Sequence, residues 1–203
     1  KLSGMIVGRE VKTEVPMKEF DPSEKVLELT NVNITGRPGR MPVHHMNLSV
    51  RRGEIVGIAG VEGNGQSDLV EAIAGLIPID SGSIRLCGRE IGKDGVRGRR
   101  QKGLGHVPED RLKTGVAREC SIGENLILNH YYTAPFSRHG IFNHKKITEF
   151  AEELCRRFLV KTPDSTYALS TLSGGNMQKV VFAREFEASP ELLICLLYTS
   201  PSP

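Results

Sequence analysis

One stretch constrains this chain more than any other. The apolar run Glu54-Ile55-Val56-Gly57-Ile58-Ala59 leads straight into Gly60-Val61-Glu62-Gly63-Asn64-Gly65-Gln66-Ser67, and a helical pattern follows. The run has the near-continuous apolarity of a strand buried on both faces of a parallel sheet. After the glycines, Leu69, Val70, Ile73, Ala74 and Ile77 recur at helical spacing, with Ser67 or Asp68 placed to cap the helix. Strand, glycine-rich loop and helix are the frame of a phosphate-binding loop, which asks for Gly, four residues, Gly, Lys, then Ser or Thr. Gly60 and Gly65 have the spacing, and Ser67 stands where a Mg²⁺-coordinating hydroxyl belongs. The glycines let the backbone curl so that successive N–H groups converge on phosphate oxygens, and the helix dipole adds to the same attraction. The Lys position holds Gln66. It keeps a donor but loses a charge worth up to ~4 kcal/mol near a protein surface before desolvation. Binding is therefore expected to be weakened and catalysis from this loop compromised. On the loop alone, a glycine-rich turn that binds nothing is an equal reading. A dinucleotide fingerprint fits worse, because no glycine follows Gly63-Asn64-Gly65 three residues on.

The rest of the chain supplies a setting for the loop. Strand patterns occur at 26–34, 46–50, 83–87, 104–107 and 192–195, and residues 145–159 read as a helix with Ile147, Phe150, Ala151, Leu154 and Phe158 on one face. Alternating strands and helices predict an α/β fold with a helical insertion. Residues 9–25 mix charge and proline and read as a linker. The four cysteines, Cys87, Cys120, Cys155 and Cys195, form no Cys-x-x-Cys pair, which removes support for a zinc ribbon or a thiol redox site. A net charge of +3 without an aromatic-interleaved basic stripe gives no nucleic-acid partner. No apolar run approaches the ~20 residues of a membrane-spanning helix. No catalytic triad or paired-carboxylate site is evident, so no catalytic residue is assigned.

A second motif lies about a hundred residues downstream. Leu172-Ser173-Gly174-Gly175-Asn176-Met177-Gln178-Lys179 precedes an apolar helix, Val180 to Phe186. Serine and two glycines opening a helix expose a hydroxyl and free N–H groups to an anion. With this pair of motifs the chain resembles the ATP-binding cassette (ABC) family, whose signature is Leu-Ser-Gly-Gly followed by Gln. Gly105-His106-Val107-Pro108-Glu109-Asp110-Arg111 occupies the place of that family's Q-loop, with Glu109 where Gln is usual. The degenerate phosphate loop, Pro-Glu-Asp-Arg and Leu-Ser-Gly-Gly-Asn together resemble the C-terminal cassette of bacterial double-cassette importers of ribose-like sugars and nucleosides. Gly60 to Gln66 and Tyr131 to Ser137 look closer to the nucleoside branch.

The resemblance implies a P-loop NTPase-like α/β domain with an antiparallel β subdomain and a helical subdomain, over residues 26–195. It implies ATP and Mg²⁺ as cofactors, held by Gly60, Gly63, Asn64, Gly65, Gln66, Ser67, Asp68 and Glu109, with Ser67 on the metal. Ser173, Gly174, Gly175 and Asn176 would complete the ATP site of a partner cassette. Residues 1–25 would be a linker from a preceding cassette of the same polypeptide. The other implied partners are transmembrane permease subunits and, indirectly, an extracytoplasmic substrate-binding protein, with the ATPase peripheral on the cytoplasmic membrane face. Adenine stacking would fall to His44, His45 or Arg37, since residues 21–53 hold no Phe, Tyr or Trp. The family's next strand carries acidic residues, yet no Asp or Glu follows Glu191. The cassette is therefore expected to be C-terminally truncated, with residues 196–203 a non-native tail. Three functions stay open: a transport ATPase, a non-hydrolysing dimerisation scaffold, and a non-transport ABC protein.

Overall fold

The computed structural model describes residues 24–61, 63–110 and 114–196. Most of the expected linker, Arg111 and the end of the tail lie outside the described residues. A four-stranded antiparallel sheet of order β2-β1-β3-β4 is built from β1 (Lys25–Ile34), β2 (Val43–Arg51), β3 (Ser81–Leu86) and β4 (Arg89–Glu90). Leu27 and Leu29 face the core at strand spacing, and Val32 and Ile34 do so again after one extra residue. Both pairings of β1 shift register across that step, and Asn31 takes φ 51° there. The irregularity re-phases the strand, so four apolar residues share one face despite the broken alternation. Helix α1 (Gln66–Ala74) lays Leu69, Ala72 and Ile73 on the sheet. Its C-terminal carbonyls are met from outside: buried Arg99 donates to Ala72 and, at 2.9 Å, to Ile73.

Helix α2 (Val96–Gln101) leads into β5 (Leu104–Val107), which pairs in parallel with β8 (Leu192–Cys195) from Leu104 opposite Leu192 to Val107 opposite Cys195. Between them lies a helical subdomain of α3 (Ile122–Leu126), the short hairpin β6 (Ser137–Arg138) and β7 (Ile141–Phe142), α4 (His144–Arg157) and α5 (Gly174–Glu187). Its own core joins Ile122, Leu126, Leu154, Leu169, Met177 and Val180. Ser121 and Glu124 cap α3 reciprocally. The expected α/β class, with an antiparallel sheet and a helical part, is borne out.

One expectation fails. Residues 54–59 form no strand, and Ile55 is 98% exposed. A strand buried on both faces needs ladder partners at its edges and a layer on each face. The described parallel sheet has only β5 and β8. The run lies beside β8 across an apolar cavity of about 250 Å³ shared by Ile55, Val56, Ile58, Leu192 and Ile194. Side-chain apolarity reached the right neighbourhood, but the backbone found no ladder.

Candidate functional site

Gly63 and Gly65 take left-handed conformations, φ 90° and 91°, and Gly65 is the N-cap of α1. A side chain at Gly65 would meet Val43 Cγ2 at 2.8 Å as well as the strain of that φ. The loop therefore turns sharply into the helix, whose first N–H groups have no intrahelical acceptor. They border a cavity of about 290 Å³ lined by Gly39, Arg40, Gly63, Gly65, Ser67 and Glu109. Ser67 Oγ donates to Glu109 Oε2 at 2.8 Å, so residues 42 positions apart meet where β5 runs out beside the helix start. This oxygen pair suits a divalent cation arriving with phosphate. Among the described residues, no cluster of three His, Cys, Asp or Glu could hold a resident metal.

Other expected residues are placed differently. The cap assigned to Ser67 or Asp68 belongs to Gly65 instead, and α1 has no side-chain cap. Asp68 is buried, with Oδ1 accepting from Arg37 at 2.9 Å and Arg40 at 3.1 Å, and it does not line the cavity. Gln66 turns away as well. Its Nε2 lies 1.6 Å from where a Cβ on Gly60 would be, and it borders the apolar cavity beside β8. Gly60 is thus needed to make room for Gln66. Asn64 donates its backbone N–H to Val61 within the loop. Arg37 is engaged by Asp68 and Glu71, and His45 by Asn31, which takes both away from a stacking role. Ser173 opens α5 with Gly174 and Gly175 exposed and nothing within 4 Å of a Cβ on either. Asn176 reaches back to Ser173 Oγ at 3.2 Å and accepts from the Lys161 N–H at 3.1 Å. None of these four residues lines the cavity at Ser67.

A sequence model of the family described as ABC transporter matches residues 43–195. The chain belongs to that family. It is 41% identical over 194 residues to the nucleoside import ATP-binding protein NupA of Lactococcus lactis subsp. cremoris and 40% identical over 194 residues to the guanosine import ATP-binding protein NupO of Bacillus subtilis. Each alignment covers 96% of this chain and 38% of the relative. The ribose import ATP-binding protein RbsA of Bacillus licheniformis is 36% identical over 93% of the chain and 37% of its own length. The chain thus spans under two-fifths of these relatives. Among solved structures, a dimeric ATP-binding cassette in a post-hydrolysis state bound to ADP and Pi superposes with a TM-score of 0.64 at 21% identity, covering 83% of this chain and 72% of that one. A nucleotide-free cassette gives 0.63 at 19%, covering 84% and 68%.

Within this cassette a buried charge network ties the signature helix to β5, the strand that leads into Glu109, and no sequence motif marked it. Glu185 on α5 is fully buried and accepts from Arg100 Nη1 at 2.8 Å, Arg184 Nε at 3.1 Å and the His106 N–H at 3.2 Å. Burial opposes its ionisation, but the bond and charge of Arg100, then Arg184, hold its carboxyl below the usual value. Burial, aided by Arg100, pushes His106 down from 6.5, so its imidazole stays neutral, and its buried Nε2 has no hydrogen-bond partner among the described residues. A helix-interior Glu and a strand His look unremarkable in sequence. Only the fold puts them together.

Proposed function

We propose that this chain is the second ATP-binding cassette of an ABC importer for nucleosides or simple sugars, supplying Ser173–Asn176 in trans to the ATP site of an upstream cassette. The observation that carries this reading is the open face of Ser173, Gly174 and Gly175, which lies outside the chain's own phosphate cavity. A helix start with exposed N–H groups and no occupant from its own chain suits an anion presented by another domain. The nucleoside class rests on NupA and NupO, named for nucleoside and guanosine import, with ribose import the next class among the relatives.

The chain's own cavity is read as a nucleotide site with poor turnover. Ser67 and Glu109 would hold Mg²⁺, which would neutralise phosphate charge there. The backbone N–H groups from Gly63 to Ser67 would cradle the phosphates. Gln66 faces the apolar cavity beside β8, so the loop itself lacks one element that steadies phosphoryl transfer. A scaffold role for this half is the second reading, and the averted Gln66 favours it. Residues 1–25 would link to the preceding cassette, and residues 196–203 would lie outside the native cassette. Permease subunits would dock the complex at the cytoplasmic membrane face, where exposed Tyr131, Ile141 and Phe142 offer apolar contact. A substrate-binding protein would act on the far side. The test is ATPase activity of the full-length double cassette: Ser173→Arg should abolish it, and Gln66→Ala should leave most of it. Equal loss from both would defeat the in-trans assignment.

A further inference from the structure

The cavity at Ser67 has a cation that the glycine-rich loop does not supply. We propose that Arg40, on the connection between β1 and β2, takes the place of the missing loop lysine and binds the terminal phosphates of a nucleoside triphosphate. This inference rests on the nucleotide reading above and adds the residue that makes the site work without Lys.

Position is the first argument. Arg40 lines the cavity together with Gly63, Gly65, Ser67 and Glu109, and among the described residues it is the sole cationic side chain of that lining. The β1–β2 connection is fastened to the glycine loop: the Met41 N–H donates to the Gly63 carbonyl at 2.8 Å. A Cβ on Gly65 would stand 3.2 Å from the Met41 carbonyl, and one on Gly63 would stand 3.7 Å from that of Gly39. Arg40 is thus anchored over the phosphate loop by backbone contacts on both sides of it.

Charge is the second argument. Among the described residues Glu109 is the other ionisable group of the lining, and alone it would repel phosphate. Gln66, where the lysine would be, faces the apolar cavity beside β8. Arg40 now leans on Asp68 at 3.1 Å and, more loosely, on Glu71 at 3.8 Å. Arg37 engages both carboxylates more closely, with Nη2 2.7 Å from Asp68. Asp68 therefore keeps a guanidinium when Arg40 swings to a ligand. The Arg40 side chain is 35% exposed, so the swing displaces little packing. A guanidinium fork matches two phosphate oxygens at once, which a lone ammonium does not.

The test titrates the 203-residue chain with Mg·ATP and with AMP, with thermal unfolding run on every variant. Arg40→Gln should weaken ATP binding at least tenfold and leave AMP binding and the unfolding midpoint nearly unchanged. Arg37→Gln, which removes the neighbour that shares the carboxylates, should move ATP binding less than threefold. Adding Gln66→Lys to Arg40→Gln should restore ATP affinity, because the charge returns from the other wall. Wild-type affinity in Arg40→Gln would overturn the assignment while leaving the nucleotide reading intact. So would equal loss of ATP and AMP with no rescue by lysine, which would mean loop collapse. Absence of ATP binding by the wild-type chain would overturn the nucleotide reading itself.

Discussion

Glu185→Gln isolates the charge that joins the signature helix to β5. The side chain keeps its shape, but an amide replaces a fully buried carboxylate that accepts from Arg100, Arg184 and the His106 N–H. Arg184 is 5% exposed, and its remaining acceptors are the carbonyls of Gly115 at 2.9 Å and Asn125 at 3.5 Å. It cannot escape to water, so the substitution leaves a buried cation without its counter-charge. Breaking a buried pair from one side costs about 3–5 kcal/mol. The retained amide oxygen still accepts one bond, which puts the expectation near the lower end, about 3 kcal/mol. A domain of this size has roughly 5–15 kcal/mol in total, so the urea midpoint, followed by far-ultraviolet circular dichroism at neutral pH, should fall visibly. Replacing both partners, Arg184→Met with Glu185→Leu, removes the stranded charge and should cost less than the two single changes added together. Arg100 is a quarter exposed and can turn to solvent. A loss under about 1 kcal/mol for Glu185→Gln, or strict additivity in the double variant, would refute the view of this network as a buried brace.

The same brace makes stability depend on pH. His106 has a folded pKa below 6.5, so its contribution is full above that pH and is lost as pH falls toward the folded value. Glu185, also lowered, adds a second loss below its ordinary 4.5. The urea midpoint should therefore decline on acidification from pH 6.5, and His106→Gln should flatten the upper part of that decline while leaving the lower part. At the loop, Gly65→Ala forces a φ of 91° on an L side chain and drives its Cβ against Val43, so it should cost roughly 1–2 kcal/mol and weaken ATP binding, read by melt and titration. Gln66→Lys in the otherwise unchanged chain should tighten ATP binding by less than the tenfold it restores in Arg40→Gln, while phosphate release stays at background.

The legible parts of the fold were those whose partners are near in sequence or marked by strong periodicity. Helix α4 was expected at 145–159 and occupies His144–Arg157, because Ile147, Ala151 and Leu154 fall on one stripe that the helical subdomain buries. The strand at 104–107 appears where expected. Strand β1 was readable only because its apolar residues outvote the irregularity at Asn31, which no propensity scale announces. The run at 54–59 is apolar without being a strand. Apolarity indicates what a segment would gain by burial, but a ladder also requires a neighbouring edge, and composition carries no information about that edge.

The site divides in the same way. Gly65 and Ser67 were legible because a tight loop into a helix imposes spacing on the backbone, and spacing is visible in a string of letters, whereas Gly60 makes room for the averted Gln66 instead. The meeting of Ser67 with Glu109 was implied only by resemblance, and the contact at 2.8 Å gives it a physical form. Arg40 was invisible, because the motif fixes where a cation should enter along the chain and not where one enters in space. A guanidinium reaching the phosphates from the β1–β2 connection meets the same electrostatic need as a lysine at position 66. The requirement is for positive charge within a few ångströms of the terminal phosphates, and Coulomb's law is indifferent to the strand that delivers it. Counting Gln66 as a plain defect therefore treats a loss at one sequence position as a loss to the site. If Arg40 carries the charge, Gln66→Lys adds a second cation to a cavity that already has one. The gain it brings should then be smaller in the wild-type background than in Arg40→Gln, and that inequality is measurable in a single double-mutant cycle.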